Sequence, residues 1–155
     1  VLYQQAFTFL PAPFDGFGVY ANYSYTDSDI TVPENDNAID NIPLPGLSEH
    51  VANLSLYYYK NGFEARIAGR YRSENATELG DTDRILFNEA ETVVDFQTSY
   101  VFPDSSPLSG VELLFQANNL TDEAFETYYG DRARQGRYET FGRRFFLGAT
   151  YRFGG

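Results

Sequence analysis

Phe141-Gly142-Arg143-Arg144-Phe145-Phe146-Leu147-Gly148-Ala149-Thr150-Tyr151-Arg152-Phe153 decides the fold. Taken every second residue, Phe141, Phe145, Leu147, Ala149, Tyr151 and Phe153 share one parity. Gly142, Arg144, Phe146, Gly148, Thr150 and Arg152 share the other. A period of two describes a strand with unlike faces, here one apolar and one carrying arginines and small residues. The stretch matches the roughly 9–11 residues with which a tilted strand crosses a bilayer. Arg143 falls on the apolar parity at the start of the stretch, where a long cation can snorkel to the interface.

The same alternation recurs upstream. It predicts strands over residues 1–10, 17–26, 47–60, 63–72, 91–102 and 110–119, which with the closing stretch makes about seven. Residues 11–16, rich in Pro and Gly, are expected to form a compact turn. Asn61-Gly62 is a strong two-residue hairpin signal, and residues 103–109 form a further short turn. Between these lie three long polar stretches, at 27–46, 73–90 and 120–140, which read as loops. Short and long connections thus alternate, the asymmetry of outer-membrane barrels. In most strands the charges occupy the parity opposite the apolar one. The expectation is an all-β, antiparallel transmembrane β-barrel segment, an open curved sheet if isolated, because seven strands leave two edges.

Composition narrows the function. The 155 residues include no Cys, no Met and no Trp but 13 Tyr and 14 Phe, and the formal charge is -11. A disulfide framework and thiolate metal sites are excluded, and the acidic balance argues against nucleic acid, which needs a basic face. No apolar run is long enough for a membrane helix, which leaves a strand-built membrane protein open. Without an initiator Met, the chain is expected to be processed or cut from a longer one.

Several constellations of polar residues stand out. Ser48 and His50 lie two apart on one strand face, but nucleophilic catalysis needs an orienting third group and an oxyanion hole, so no enzyme is expected. Asp27, Asp29, Glu34, Asp36 and Asp40, with Asp81 and Asp83, crowd two loops. Their spacing is not that of an EF-hand, and no metal or cofactor is expected. Glu64, Arg66, Arg70, Arg72, Asp95, Glu112, Gln116, Arg144 and Arg152 occupy the polar parity and should line a barrel lumen. Tyr128, Tyr129, Arg132, Arg134, Arg137 and Tyr138 make the third loop aromatic and basic, suited to stacking and hydrogen bonding with sugar rings. Tyr57-Tyr58-Tyr59 reads as an interfacial aromatic girdle. Asn-x-Ser/Thr sequons at Asn22, Asn53, Asn75 and Asn119 are read as chance.

Asn118-Asn119-Leu120-Thr121-Asp122-Glu123, Tyr129-Gly130, Tyr138 and the closing Gly142-Arg143 strand resemble the C-terminal part of a TonB-dependent outer-membrane transporter. Phe9-Leu10-Pro11, residues 22–28, Leu44-Pro45-Gly46-Leu47-Ser48, Phe63-Glu64-Ala65-Arg66 and Arg70-Tyr71-Arg72-Ser73 resemble the proteobacterial branch associated mostly with carbohydrate uptake. The resemblance implies that residues 1–155 are the C-terminal part of a barrel of about 22 strands, with the plug domain and remaining strands absent. It implies energised import, of carbohydrate before siderophore or other nutrient. Its implied partners are outer-membrane lipid, the plug, TonB through that plug, and the barrel-assembly machinery. Phe145, Tyr151 and Phe153 become candidate assembly-signal residues, although the chain runs on to Gly154-Gly155. The alternatives are a small eight-stranded outer-membrane barrel of structural or adhesive role, its last strand hidden within 128–139, and a soluble carbohydrate-binding β-sandwich.

Overall fold

The computed structural model describes residues 1–34, 37–42, 44–78 and 85–153. Asp36, Asp81 and Asp83 of the acidic loops, and the side chains of Glu34 and Asp40, lie outside them, as does the Gly154-Gly155 tail. The described residues form β1 (Leu2–Ala6), β2 (Phe17–Tyr25), β3 (Ile30–Glu34), β4 (Asn37–Ile42), β5 (His50–Lys60), β6 (Phe63–Arg72), β7 (Asn75–Glu78), β8 (Leu86–Asn88), β9 (Glu91–Val101), β10 (Val111–Asn118), β11 (Ala124–Tyr129), β12 (Asp131–Thr140) and β13 (Arg144–Tyr151). Among them there is no α-helix, only one 3-10 turn at Phe14–Gly16.

All strand pairs are antiparallel. The main wall has seven strands in the order β1-β2-β5-β6-β9-β10-β13 and does not close. Its strands are the seven read from the sequence, β6 with the same ends and the others one to five residues shorter at one or both ends. Register carries the parity across the whole sheet. Gln5, Val19, Leu56, Ile67, Phe96, Ala117 and Phe145 stand in one row. The row Gly18, Tyr57, Arg66, Gln97, Gln116 and Phe146 belongs to the opposite face. A slip of one residue in β6 or β13 would put arginine into the apolar face, so the alternation fixes the pairing.

The structure departs from two sequence expectations. First, the long polar stretches are not simple loops: they contain six strands. β3 and β4 form a hairpin, and β7, β8, β11 and β12 form a second sheet in the order β12-β11-β8-β7. Their period-two signal is short and mostly polar, so it is easily taken for loop. Strand structure within 128–139 thus exists, but it joins this upper sheet and leaves the wall at seven strands, so the eight-stranded closed barrel is not formed. Second, Tyr57-Tyr58-Tyr59 is not one girdle, because alternation splits it. Tyr58 packs on Phe17 (4.7 Å) and Phe63 (6.0 Å) on the apolar face, whereas Tyr57 covers Gly18 on the polar one.

The short connections lie at one end of the wall. Asn61 (φ 51°) and Gly62 (φ 77°) both adopt left-handed backbone, as a two-residue hairpin of this kind requires. Lys60 pairs with Asp15 across neighbouring turns, and the Tyr58 hydroxyl donates to the Pro13 carbonyl (3.1 Å).

The upper sheet repeats the order of the wall. β7 follows β6, β8 precedes β9, β11 follows β10 and β12 precedes β13, so the upper neighbours are those of the lower strands. It is the wall's last four strands carried outward past a crease. Among the described residues the cluster of buried apolar side chains sits beside or within this extension: Ala76 and Ile85, with Ile30 and Phe87 against them. The wall itself has no such core. Leu147 is 84% exposed, Phe145 60% and Leu113 43%, all on the apolar parity. A soluble sandwich would bury that face against a second sheet. Among the described residues no second sheet covers it, and an uncovered apolar face of this kind calls for lipid.

Candidate functional site at the crease of the wall

Asn119 ends β10 and makes the crease. It adopts φ 57°, a left-handed conformation that asparagine tolerates better than most residues. Its Nδ2 donates to the carbonyls of Glu123 (3.0 Å) and Gly142 (3.4 Å), while its Oδ1 accepts from the Glu123 N–H (2.9 Å) and the Thr121 hydroxyl (3.3 Å). Its own N–H donates to Asp95 Oδ1 (2.9 Å), and Leu120 N–H donates to the Val94 carbonyl (2.7 Å). One side chain thus ties β10, the entry to β11 and the approach to β13 together. Arg143 reinforces the seam by donating from Nε to the Leu120 carbonyl (2.9 Å).

On the polar face the crease opens into a cleft of about 360 Å³. Arg70, Asp95, Asn118, Arg144, Phe125 and Phe141 are among the residues lining it. Of the polar residues expected from the sequence, the structure brings Arg70, Asp95 and Arg144 into this cleft. The rest are spread along the same face. Arg66 donates to Ser55 Oγ (2.8 Å), Gln116 Nε2 donates to Gln97 Oε1 (3.3 Å), and Glu64 lies towards the turn end beside Tyr59. Arg72 pairs with Glu91 (3.6 Å), and Arg152 pairs with Glu112 (3.7 Å). Sequence reading missed Phe125, Phe141 and Glu123 as cleft residues. Their signal was Asn119-x-x-x-Glu123, a local motif whose meaning depends on the backbone turn it caps.

The aromatic–basic residues of the third long stretch separate into two groups. Tyr128 is only 7% exposed, its ring stacked on Phe87 (5.2 Å) with the Arg132 guanidinium 5.8 Å over it. Its hydroxyl donates to Glu74 Oε2 (3.1 Å). Burial, then Glu74, pushes the Tyr128 pKa up. Arg132 donates to Glu74 (2.5 Å) and lies 3.4 Å from Glu89, which raises its pKa further. These side chains lock β7, β8, β11 and β12 to one another. Tyr129 and Tyr138 keep exposed rings. Arg137 donates to Glu139 (2.7 Å) and sits over Phe125 (5.8 Å), and Arg134 also lies on β12.

Ser48 and His50 do not form a pair. His50 Nδ1 is hydrogen-bonded to the Tyr23 hydroxyl (2.8 Å), and Ser48 is buried with its Oγ unpartnered among the described residues. No cluster of potential metal ligands occurs among the described residues. Phe145, Tyr151 and Phe153 are all exposed, Tyr151 and Phe153 meeting edge to face at 4.7 Å.

An open antiparallel wall, sorted by face and naked on its apolar side, is what a segment of an outer-membrane barrel requires. Comparison with protein families matches residues 3–120 to the TonB dependent receptor-like, beta-barrel family. The chain belongs to this family. Its members are TonB-dependent receptors of the bacterial outer membrane and act in transport. The match ends at Leu120, so the Tyr129-Gly130 and Gly142-Arg143 features lie beyond it. Comparisons with curated proteins and with solved structures return no match.

Proposed function

We propose that this chain is the C-terminal barrel segment of a TonB-dependent importer of carbohydrate, of the proteobacterial carbohydrate-uptake type. In this reading the apolar face contacts outer-membrane lipid, and the polar face bearing Glu64, Arg66, Arg70, Arg72, Asp95, Glu112, Gln116, Arg144 and Arg152 lines the lumen around a plug supplied by the rest of the receptor. TonB acts through that plug. Phe145, Tyr151 and Phe153 serve the assembly machinery as part of the closing strand.

The carrying observation is the cleft at the crease. It lies on the polar face, at the end of the wall from which the long connections leave, and combines amide and guanidinium donors with the rings of Phe125 and Phe141. Aromatic rings suit the C–H faces of a pyranose, and fixed donors and acceptors suit its hydroxyls. Tyr129 and Tyr138 add exposed rings above it. Bond-making chemistry has no role in this scheme; binding and energised release suffice.

The test is uptake of labelled oligosaccharides by cells carrying or lacking the receptor gene, with TonB present or deleted. Uptake that needs both supports the reading. Uptake of a siderophore but no saccharide under the same conditions would keep the transporter and remove the carbohydrate.

A further inference from the structure

We propose that the cleft at the crease selects saccharides bearing carboxylates, with Arg70 and Arg144 as the residues that recognise the charge. The inference rests on the carbohydrate reading above. Five arginines lie on the polar face of the wall. Arg66 is bonded to Ser55, Arg72 is paired with Glu91, and Arg152 is paired with Glu112. Among the described residues, Arg70 and Arg144 form no ion pair or side-chain hydrogen bond, and these are the two that line the cleft.

The cleft's acids, Glu91, Asp95 and Glu123, keep their negative charge, but among the described residues none forms an ion pair with Arg70 or Arg144. Asp95 accepts the Asn119 N–H, and Glu91 is engaged by Arg72. Glu123 also lines the cleft and disfavours an anion beside it. Arg70 on β6 and Arg144 on β13 are separated by three strand spacings, about 14 Å across the sheet. They therefore flank the cleft from two sides, with Asn118 between them and the Phe125 and Phe141 rings to take an apolar sugar face. A guanidinium fork meets a carboxylate through two parallel N–H donors, a geometry that no neutral sugar hydroxyl reproduces. An oligosaccharide of uronic acids offers carboxylates on successive rings and matches this arrangement.

The experiment uses the full-length receptor in detergent and isothermal titration with trigalacturonate and with its methyl ester, which keeps every ring and removes the charge. The acid is expected to bind about tenfold more tightly than the ester, the value of one charge-assisted contact. Arg70→Gln and Arg144→Gln should each erode that preference by lowering acid affinity more than ester affinity, with heat-modifiable migration on gels verifying the fold. Equal binding of acid and ester overturns this inference and leaves the carbohydrate reading standing. Binding of neither removes the carbohydrate reading and this inference with it. Loss of acid and ester binding alike in folded variants also overturns it, because the arginines would then serve the plug or the cleft's shape and not the carboxylate.

Discussion

Asn119→Ala is the most informative single change in the crease. The two shorter side-chain bonds of Asn119, to the Glu123 carbonyl at 3.0 Å and from the Glu123 N–H at 2.9 Å, contribute about 1 kcal/mol each as neutral hydrogen bonds. The longer contacts to Gly142 and Thr121 add less. Alanine must also hold φ near 57°, which costs about 1 kcal/mol more than it does for asparagine. The local structure should therefore be weakened by about 3 kcal/mol, or about two orders of magnitude in an opening equilibrium. Amide hydrogen exchange followed by mass spectrometry reads this directly. The N–H groups of Asn119, Leu120, Asp122 and Glu123 are all bonded, so their peptide should exchange about a hundredfold faster in the variant, while a peptide from mid-β6 should not change. Asn119→Gly removes the side chain but accepts the backbone angle, and should recover roughly a fivefold portion of the loss. Asn118→Ala, whose side chain has no hydrogen bond among the described residues, is the control. An Asn119→Ala protein exchanging within threefold of the parent would refute the keystone role. Equal exchange in the Ala and Gly variants would refute the backbone part of it.

Leu147→Arg, near the middle of β13 on the apolar face, should cost about 2–4 kcal/mol in a lipid-embedded barrel and sharply reduce assembly in vesicles; tolerance would argue against a lipid-facing surface there. At Gly18 an added Cβ would lie 2.2 Å from Tyr57 Cζ, so Gly18→Val should destabilise the full receptor by about 1–3 kcal/mol in denaturant titrations, and Tyr57→Ala should rescue it in part. The Asp15 carboxyl is held below its ordinary 3.8, first by its hydrogen bond to Lys60. A depressed acid stabilises the fold above its unfolded pKa and loses that contribution as pH falls through the folded one, so carboxyl NMR should place Asp15 below 3.8 and Lys60→Met should return it. In the upper sheet the raised Tyr128 pKa means stability lost only as pH climbs above 10; Glu74→Gln removes the second cause of the rise and should bring phenol ionisation, followed by ultraviolet absorbance, to lower pH.

The wall was legible because its information is periodic. Every one of its strands alternates, and Asn61-Gly62 fixes a turn that the backbone adopts with both residues at positive φ. The upper sheet was not legible, because β7 and β8 span only four and three residues and are held by partners distant in sequence. Glu74 lies 58 positions from Arg132, and no local pattern announces that pairing. The polar parity alone puts Arg70, Asp95 and Arg144 on one face, together with six other polar residues. Their convergence on one cleft depended on where β10 bends, and that is decided by Asn119 bonding to groups 4 and 23 residues away. The split of Tyr57 from Tyr58 follows from the same alternation, here outweighing the appeal of three like residues in a row.

The repeated strand order gives the receptor a seam along which it can be re-cut. Lower and upper sheets have the same neighbours, and for the last four wall strands chain passes between them only at residues 73–74, 89–90, 119–123 and 141–143. Everything above that line can be lengthened, shortened or exchanged as paired hairpins while the lipid-facing register below stays as it is. A recognition surface for a new nutrient could then be transplanted as one cassette of four strands, with the asparagine that folds the joint left in the recipient.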